Sequence, residues 1–308
     1  MAGPQHPGSP SRPSEPDAEG PIDTVVVPRV SDIGGFQVRR ALPTRRKKLV
    51  GPFIFFDRMG PARLGASDAL DVQPHPHIGL ATVTYLYEGR IRHLDSLGTD
   101  QVIEPGAINL MTAGRGIVHS ERSPAADRGT ERGMSGLQIW LALPEGAEES
   151  APAFEHTPAD ALPTVEDAGF RARVLMGTFL GATSPVTQSS ETLYVDAVLP
   201  PGGALELPTG TEERAAYVLS GDVVVAGERF EGDALIVFRP GDPIVLRSER
   251  GASLVVLGGA ALEGPRHIWW NFVSSSKERI EAAKADWKAR RFDAVPGDEI
   301  EFVPLPER

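Results

Sequence analysis

The histidines of this 308-residue chain are concentrated in one stretch, where two short motifs place ligand-type residues two positions apart. Four of the seven histidines lie between residues 75 and 119, and the motifs are His75-Pro-His77 and His119-Ser-Glu121. On a β-strand, side chains two positions apart lie on the same face, about 6.7 Å from each other. Each motif can therefore direct two side chains at one metal ion.

If these two strands are neighbours, they present three imidazoles and one carboxylate to the same ion. Such nitrogen and oxygen donors suit iron, and also Mn, Co, Ni, Cu or Zn. The type of donor therefore limits the choice of metal but does not identify it. Four ligands leave open positions on a six-coordinate ion, which is typical of sites that perform chemistry or capture a ligand. The alternative is that these histidines are hydrogen-bonded core residues.

A third same-face pair, His93-Leu-Asp95, lies between the two motifs. We interpret it as a hydrogen-bonded pair that orients a ligand, because carboxylates commonly hold ligating histidines in place. No histidine occurs between His156 and His267. The second half therefore cannot repeat the site, and we expect one metal per chain.

The elements that must position these residues are predicted to be strands. The chain has 33 Gly and 28 Pro, and short apolar runs such as ATVTYLYEG and GLQIWLALP are separated by turn residues. This pattern predicts an all-β sandwich or barrel. A similar order of strands and Gly turns recurs in the second half, in AAYVLSGDVVV and EGDALIVFRPG, which predicts two barrels of one type.

Composition divides the chain into five segments. Residues 1–22 are rich in Pro, Gly and Ser and are predicted to be a disordered tail. We predict a metal-binding N-terminal barrel at 23–145, a linker at 146–164, a metal-free barrel at 165–262, and a C-terminal segment at 263–308 with one helix. Ser275 followed by Glu278 predicts the capping box of that helix.

Charge and cysteine content limit the class of protein. Asp and Glu number 42 against 31 Lys and Arg, a net charge of −11, which disfavours direct nucleic-acid binding. The chain has no Cys, which suits a reducing compartment and excludes thiolate ligands. Its sequence also lacks the roughly 18 consecutive apolar residues of a membrane span. We expect a cytoplasmic protein with no membrane contact.

The motifs resemble those of the pirin family, which belongs to the cupin superfamily. They are GPFIFFDRMGP (51–61), HPHIGLATVTYLYEG (75–89), RHLDSLGT (92–99), EPGAINLMTAGRGIVHSE (104–121) and GLQIWLALP (136–144). The similarity covers about residues 22–292. It implies a bicupin of two antiparallel, jelly-roll-like β-barrels, with one non-haem iron in the N-terminal barrel. The family's ligand positions correspond to His75, His77, His119 and Glu121.

The resemblance leaves two functions open. Some pirins resemble quercetin 2,3-dioxygenases, which implies a small aromatic flavonol substrate, O₂, and Glu121 as the catalytic residue that accepts the substrate's hydroxyl proton. Others are redox-responsive iron proteins that bind a transcription factor or a metabolic enzyme. The basic segment RRALPTRRKK (39–48) could serve such a protein partner, although a solvated loop is the simpler interpretation.

Three phenylalanines leave a second choice open. Phe53, Phe55 and Phe56 could wall a substrate entrance, but they alternate as core residues do, which favours packing.

Overall fold

The computed structural model describes residues 20–32 and 36–307, which form antiparallel strands and one helix. The first half of the chain contains β1 Ile22–Val26, β2 Arg29–Asp32, β3 Gln37–Leu42, β4 Phe53–Leu64, β5 Val72–His77, β6 Leu80–Glu88, β7 Ile91–Asp95, β8 Asp100–Ile103, β9 Ile108–Thr112, β10 Ile117–Arg122, β11 Arg132–Ala142 and β12 Ala153–Thr157. The all-β prediction is confirmed.

The second half of the chain also consists mainly of strands. It contains β13 Thr164–Glu166, β14 Arg171–Met176, β15 Thr178–Phe179, β16 Ala182–Thr183, β17 Thr192–Leu199, β18 Ala204–Leu207, β19 Glu213–Val225, β20 Glu228–Glu231, β21 Ala234–Phe238, β22 Ile244–Arg247, β23 Ala252–Gly259, β24 His267–Trp269, β25 Phe272–Ser274 and the helix α1 Lys277–Lys288.

The first domain, strands β2 to β12, consists of two facing sheets. One has seven strands in the order β12-β9-β6-β11-β4-β3-β2, and the other has four in the order β5-β10-β7-β8. Alternation along the strands fills the space between the sheets with apolar side chains such as Leu86, Ile103 and Trp140. The smaller sheet carries both histidine motifs, so the candidate site lies on one wall of this interior.

The second domain contains strands β13 to β23 together with β1. Its strands form a ten-stranded sheet with the path β1-β21-β19-β23-β17-β14-β13, to which β18, β20 and β22 are attached. A dense apolar core of Val, Leu, Ile and Phe side chains fills its interior. The sheets of both domains are cupin-like, but they do not close into continuous barrels.

The largest core cluster lies between the two domains. Val83 and Tyr85 of β6 and Ile139 of β11 pack against Tyr217 of β19 and Leu257 of β23. The large sheets therefore bury one face against each other and the opposite face inside their own domain. This explains why central strands such as FIFF and ALIVF read as continuous apolar runs rather than as clean alternation.

Two aspartates of the second domain, one of them partly exposed, accept polar contacts at this interface. Tyr85 and Tyr87 of the first domain each donate a hydrogen bond to Asp196 at 3.0 Å. Arg58 donates to Asp233 at 2.5 Å, and Tyr217 donates to the same oxygen at 2.9 Å. Because the hydroxyls of Tyr85 and Tyr87 and the carboxylate of Asp196 would otherwise be buried without these partners, the bonds fix how the domains dock.

The basic segment 39–48 is only partly a solvated loop. Arg39 pairs with Asp233 at 3.2 Å and Lys47 with Glu213 at 2.9 Å, so both residues tie the first domain to the second. Arg40 on β3 pairs with Asp57 inside the first domain at 2.6 Å. The remaining cations, Arg45, Arg46 and Lys48, are exposed. Sequence composition did not predict these ion pairs, because the partners are remote in the chain.

The structure differs from the expected boundaries at both ends of the first domain. Strand β1 begins at Ile22 and pairs with β21, so it belongs to the sheet of the second domain. The segment 146–164, expected as a linker, contains β12, which pairs with β9 and extends the seven-stranded sheet. The predicted disordered tail at 1–22 lies outside the described residues as far as residue 19.

Helix α1 is where the sequence predicts it, but its cap differs by one residue. Ser276, not Ser275, accepts the N–H of Arg279 at 3.2 Å and also bonds Glu278. Ser275 instead donates to Glu148 at 3.0 Å. Within residues 20–32 and 36–307, no helix has the length and apolar character needed to cross a membrane.

The tyrosine contacts to Asp196 yield a stability prediction. The double variant Tyr85→Phe/Tyr87→Phe leaves a buried carboxylate without two hydroxyl donors and should lower the free energy of unfolding by about 3 kcal/mol. Tyr194→Phe is the matched control, because the Tyr194 hydroxyl is buried with no partner among the described residues. Its loss should be neutral or stabilising. Urea unfolding of the three proteins tests this, and equal effects would contradict it.

Candidate metal centre

The two histidine motifs lie on neighbouring strands, as expected. Strand β10 pairs antiparallel with β5, which places His119 opposite His75 and Ile117 opposite His77. His75 and His77 share a face because they are two positions apart. The pairing therefore brings three imidazoles together on the inner face of the four-stranded sheet.

The three imidazoles form a compact, buried group. One ligand nitrogen from each of His75, His77 and His119 lies within 4.8 Å of the other two, and the side chains are buried. Nε2 of His77 lies 3.1 Å from Nε2 of His119. Two nitrogens bound at right angles to one ion, each about 2.1 Å from it, are separated by about 3 Å. The arrangement fits a bound transition metal.

Burial keeps these imidazoles in the form that binds metals. Removal from water lowers the pKa of His75 to about 4 and holds the pKa values of His77 and His119 well below 6.5. All three rings are therefore neutral at neutral pH. A neutral imidazole has one nitrogen with a free lone pair, which is what a metal requires.

Hydrogen bonds to the other ring nitrogens determine which nitrogen is free. The Nδ1–H of His75 donates to the carbonyl of Gln73 at 2.8 Å, which leaves its Nε2 free. Nδ1 of His119 lies 3.3 Å from Nδ1 of His93, and Nε2 of His93 lies 3.0 Å from Asp95. Donation along this chain, from His119 to His93 and from His93 to Asp95, leaves Nε2 of His119 free for an ion.

Asp95 anchors that chain. Its second carboxylate oxygen accepts the N–H groups of Leu97 at 2.9 Å and Thr99 at 3.1 Å, in the turn after β7. Burial opposes its charge, but the hydrogen bonds from His93 and Thr99 hold the pKa of Asp95 below its ordinary value. The predicted orienting role of His93-Leu-Asp95 is thus supported by direct contacts.

Glu121 does not belong to the group of three converging ligand atoms. It follows His119 on β10, but the register of β10 against β5 shifts between these two residues, so that Glu121 lies opposite Val72. On its other side it lies opposite His93 of β7. Burial raises the pKa of its carboxyl group. Its assignment as a ligand remains a prediction.

Aromatic side chains form the apolar wall of the site. The ring of Trp140 lies 5.2 Å from that of His77, and Phe55 stacks on Trp140 at 4.0 Å. Phe154 stacks on His93 at 4.5 Å. Phe53 and Phe56 belong instead to the core between the domains, where the packing interpretation is correct. The alternation in GLQIWLALP could have identified Trp140, whereas Phe154 lies in the segment interpreted as a linker.

Two family models match the chain along most of its length. The model described as Pirin matches residues 35–141, and the one described as Pirin C-terminal cupin domain matches residues 194–293. This chain belongs to the pirin family. The metal-capable histidines all fall within the first match, and the second pirin domain has no histidine between 157 and 266. The family resemblance predicted from sequence is confirmed.

Proteins named as pirin-like and proteins named as quercetin 2,3-dioxygenases both match nearly the whole chain. A pirin-like protein of Caulobacter vibrioides is 47% identical over 289 residues, which cover 93% of this chain and 100% of the relative. A Pseudomonas aeruginosa protein provisionally named a quercetin 2,3-dioxygenase is 37% identical, with 91% of this chain and 90% of the relative covered. A crystal structure of quercetin 2,3-dioxygenase from Acinetobacter baumannii is 36% identical, with a TM-score of 0.83 and coverage of 92% of this chain and 96% of that chain.

The C-terminal segment of this pirin-family chain contacts both metal-site strands, which sequence reasoning missed. The N–H of Val303 donates to the carbonyl of Pro74, next to His75. Arg122, next to Glu121, pairs with Asp298 and with Glu301, both at 2.8 Å. The segment therefore contacts the edge strand β5 and the C-terminal end of β10. Its charges alternate with apolar residues and give no local signal of where they dock.

The anchoring of His93 by Asp95 yields a prediction about metal affinity. Asp95→Asn keeps the size of the side chain but weakens the acceptor that orients His93, and through it His119. Affinity for a divalent first-row metal should fall by about 10- to 100-fold. Chelator competition measures this. Asp100→Asn, an exposed carboxylate on the adjacent strand β8, should leave the affinity unchanged, and equal loss in both variants would contradict the role of Asp95.

The lowered pKa of His75 predicts how stability varies with pH in the metal-free protein. The imidazole of His75 takes up a proton near pH 6.5 in the unfolded chain, whereas in the folded protein its pKa is lowered to about 4. The contribution of the neutral imidazole to the free energy of unfolding is therefore fully present above pH 6.5 and is lost as the pH falls toward 4. The stability difference between wild type and His75→Asn should shrink by up to about 1.4 kcal/mol per pH unit in that window. Urea unfolding of chelator-treated protein tests this, and a constant difference from pH 7.5 to 4.5 would contradict it.

Proposed function

We propose that this chain binds one non-haem iron and acts as a dioxygenase on a flavonol-type, quercetin-like substrate with O₂. The observation that carries the proposal is the group of three neutral, buried imidazoles of His75, His77 and His119, with one ligand nitrogen of each within 4.8 Å of the others. The proposed ligand set is completed by Glu121. Relatives named for quercetin 2,3-dioxygenase activity support the choice of reaction.

The donor set and its position support one iron per chain. Nitrogen and carboxylate donors without thiolate suit iron and other first-row divalent metals. The second domain offers no histidine at the corresponding strands, so it would act as a scaffold. When bound, the metal would supply a Lewis acid and a template for substrate and O₂.

The protein's own residues would orient and deprotonate the substrate. The raised pKa of Glu121 makes its carboxylate a better proton acceptor than an exposed glutamate, which suits removal of the proton from a flavonol hydroxyl. The ring of Trp140 lies beside His77, where an aromatic substrate could pack against it, and Phe55 supports Trp140 from its other side. His93 would keep His119 in the metal-binding tautomer while the proton resides on Glu121.

A second candidate is a non-enzymatic, iron-dependent and redox-responsive regulator that binds a transcription factor or a metabolic enzyme. The exposed cations Arg45, Arg46 and Lys48 favour it. The ion pairs of Arg39, Arg40 and Lys47 weaken it, because they show that half of the basic segment serves the fold. In either case we propose a cytoplasmic protein that does not bind nucleic acid directly, in line with its net charge of −11.

The deciding experiment separates metal retention from turnover. Glu121→Gln keeps an oxygen donor and three imidazoles but removes the proton acceptor. It should retain much of its iron, while oxygen uptake with a flavonol should fall by on the order of 10²-fold. Anaerobic purification, elemental analysis and an oxygen electrode measure both quantities in one preparation, with about one iron per wild-type chain expected.

Two controls make this experiment interpretable. Exposed Glu104→Gln should change neither quantity, whereas His119→Ala should lose high-affinity metal binding. If iron-loaded wild type consumes no oxygen with any flavonol, the regulator proposal replaces the dioxygenase. If Glu121→Gln turns over at the wild-type rate, Glu121 is not the base.

A further inference from the structure

A cavity lined by none of the histidine motifs lies where the basic segment of the first domain meets the second domain. Its volume is about 270 Å³. The first domain contributes residues 46–49 and Gly51, and the second part of the chain contributes Glu213, Ala261, Leu262, Gly264 and Arg266. None of the predicted metal ligands lines it. The size suits a small molecule rather than a macromolecular surface.

The charges around this cavity are mostly positive. Arg46, Lys47, Lys48 and Arg266 line it, and Glu213 is its single acidic lining residue. Glu213 is already engaged, because it pairs with Lys47 at 2.9 Å and accepts the N–H of Gly51 at 2.6 Å. Arg46 and Lys48 form no ion pair within the described ranges. Lys47 and Arg266 are paired with Glu213 and Glu148, so Arg46 and Lys48 supply the uncompensated positive charge at this cavity of a protein whose net charge is −11.

Arg266 is a preorganised donor in the wall of the cavity. Its side chain is only 2% exposed and is held by the carbonyls of Leu143 at 3.0 Å and Glu263 at 2.9 Å and by Glu148 at 3.2 Å. These contacts use Nε and Nη1, and Nη2 makes no hydrogen bond to any described residue. A fixed guanidinium with a free edge loses little entropy when it binds an oxyanion.

The loop that carries the other cations is also ordered. Thr44 accepts the N–H of Lys47 at 3.0 Å and donates its own N–H to the carbonyl of Lys47 at 2.9 Å. The Lys47 ion pair then fixes this turn against the second domain. Arg46 and Lys48, on either side of Lys47, are thereby held at the rim of the cavity.

We propose that this cavity binds a small anionic molecule through a carboxylate or phosphate group. The group would accept hydrogen bonds from the free edge of Arg266 and from the cations of Arg46 and Lys48 at the rim. Leu49 and Leu262 would contact the apolar part of the same molecule. Arginine and lysine together are suited to both kinds of oxyanion. The proposal does not depend on the dioxygenase activity.

Calorimetric titration of the metal-loaded, full-length protein with inorganic phosphate and with succinate, a weakly chelating dicarboxylate, tests the proposal and distinguishes the two kinds of oxyanion. The variant Arg46→Gln/Lys48→Gln should bind the preferred anion at least 10-fold more weakly. The variant Arg45→Gln/Arg63→Gln changes the net charge by the same amount at exposed positions outside the cavity, and it should bind as wild type does. Metal content should be equal in all three proteins.

Each remaining outcome overturns the proposal. If wild type binds neither phosphate nor succinate in low-salt buffer, or if Arg46→Gln/Lys48→Gln binds as wild type does, the cavity is not the oxyanion site. If the two double variants weaken binding equally, the anion responds to the general field of the protein and not to this cavity. Thermal unfolding of the variants checks that they remain folded, since both pairs of substitutions lie on the surface.

Discussion

The antiparallel pairing of β5 with β10 is the constraint on which the candidate site depends. It places His119 opposite His75 and thereby converts two sequence motifs into one group of three imidazoles. A shift of one residue in this register would turn the histidines of one strand to the opposite face. The C-terminal segment contacts β5 at Pro74 and the end of β10 at Arg122, so elements distant in sequence help to hold the pairing in place.

Burial of the three imidazoles determines their charge and the placement of charge around them. Three imidazoles can share one buried space because each is neutral, and hydrogen bonds from His75 to Gln73 and from His119 through His93 to Asp95 specify where the protons of His75 and His119 reside. The carboxylate of Asp95 bonds His93, which in turn bonds His119, and backbone N–H groups stabilise the charge of that carboxylate. Negative charge is thus kept near the site without occupying the space that a metal would take.

The two domains share an architecture but divide their roles. Their large sheets bury one face against each other, and the carboxylates of Asp196 and Asp233 accept donors from across or beside that interface. The first domain keeps histidines and aromatic rings in its interior, whereas the second is filled with aliphatic side chains. The seam between them, rather than either interior, carries the cationic cavity, because the basic segment docks there.

The sequence by itself determined the class of fold, the family and the three histidines, His75, His77 and His119, that form a metal-capable group. Strand periodicity and the HxH and HxE spacings are local properties, so they could be read without the structure, and the same holds for the absence of a second histidine group. The position of α1 was also predictable, but its cap was not. Ser275, the predicted cap, donates instead to Glu148, and Ser276 caps the helix.

Only the tertiary structure decided which side chains meet. It placed β1 in the second domain and β12 in the first, because strand pairing over long separations leaves no local signal. It also left Glu121 outside the group of three converging imidazole nitrogens, and it paired Arg39 and Lys47 with acids more than a hundred residues away. Spacing within one strand fixes the face a side chain occupies, but only the pairing of strands fixes its distance from a neighbour.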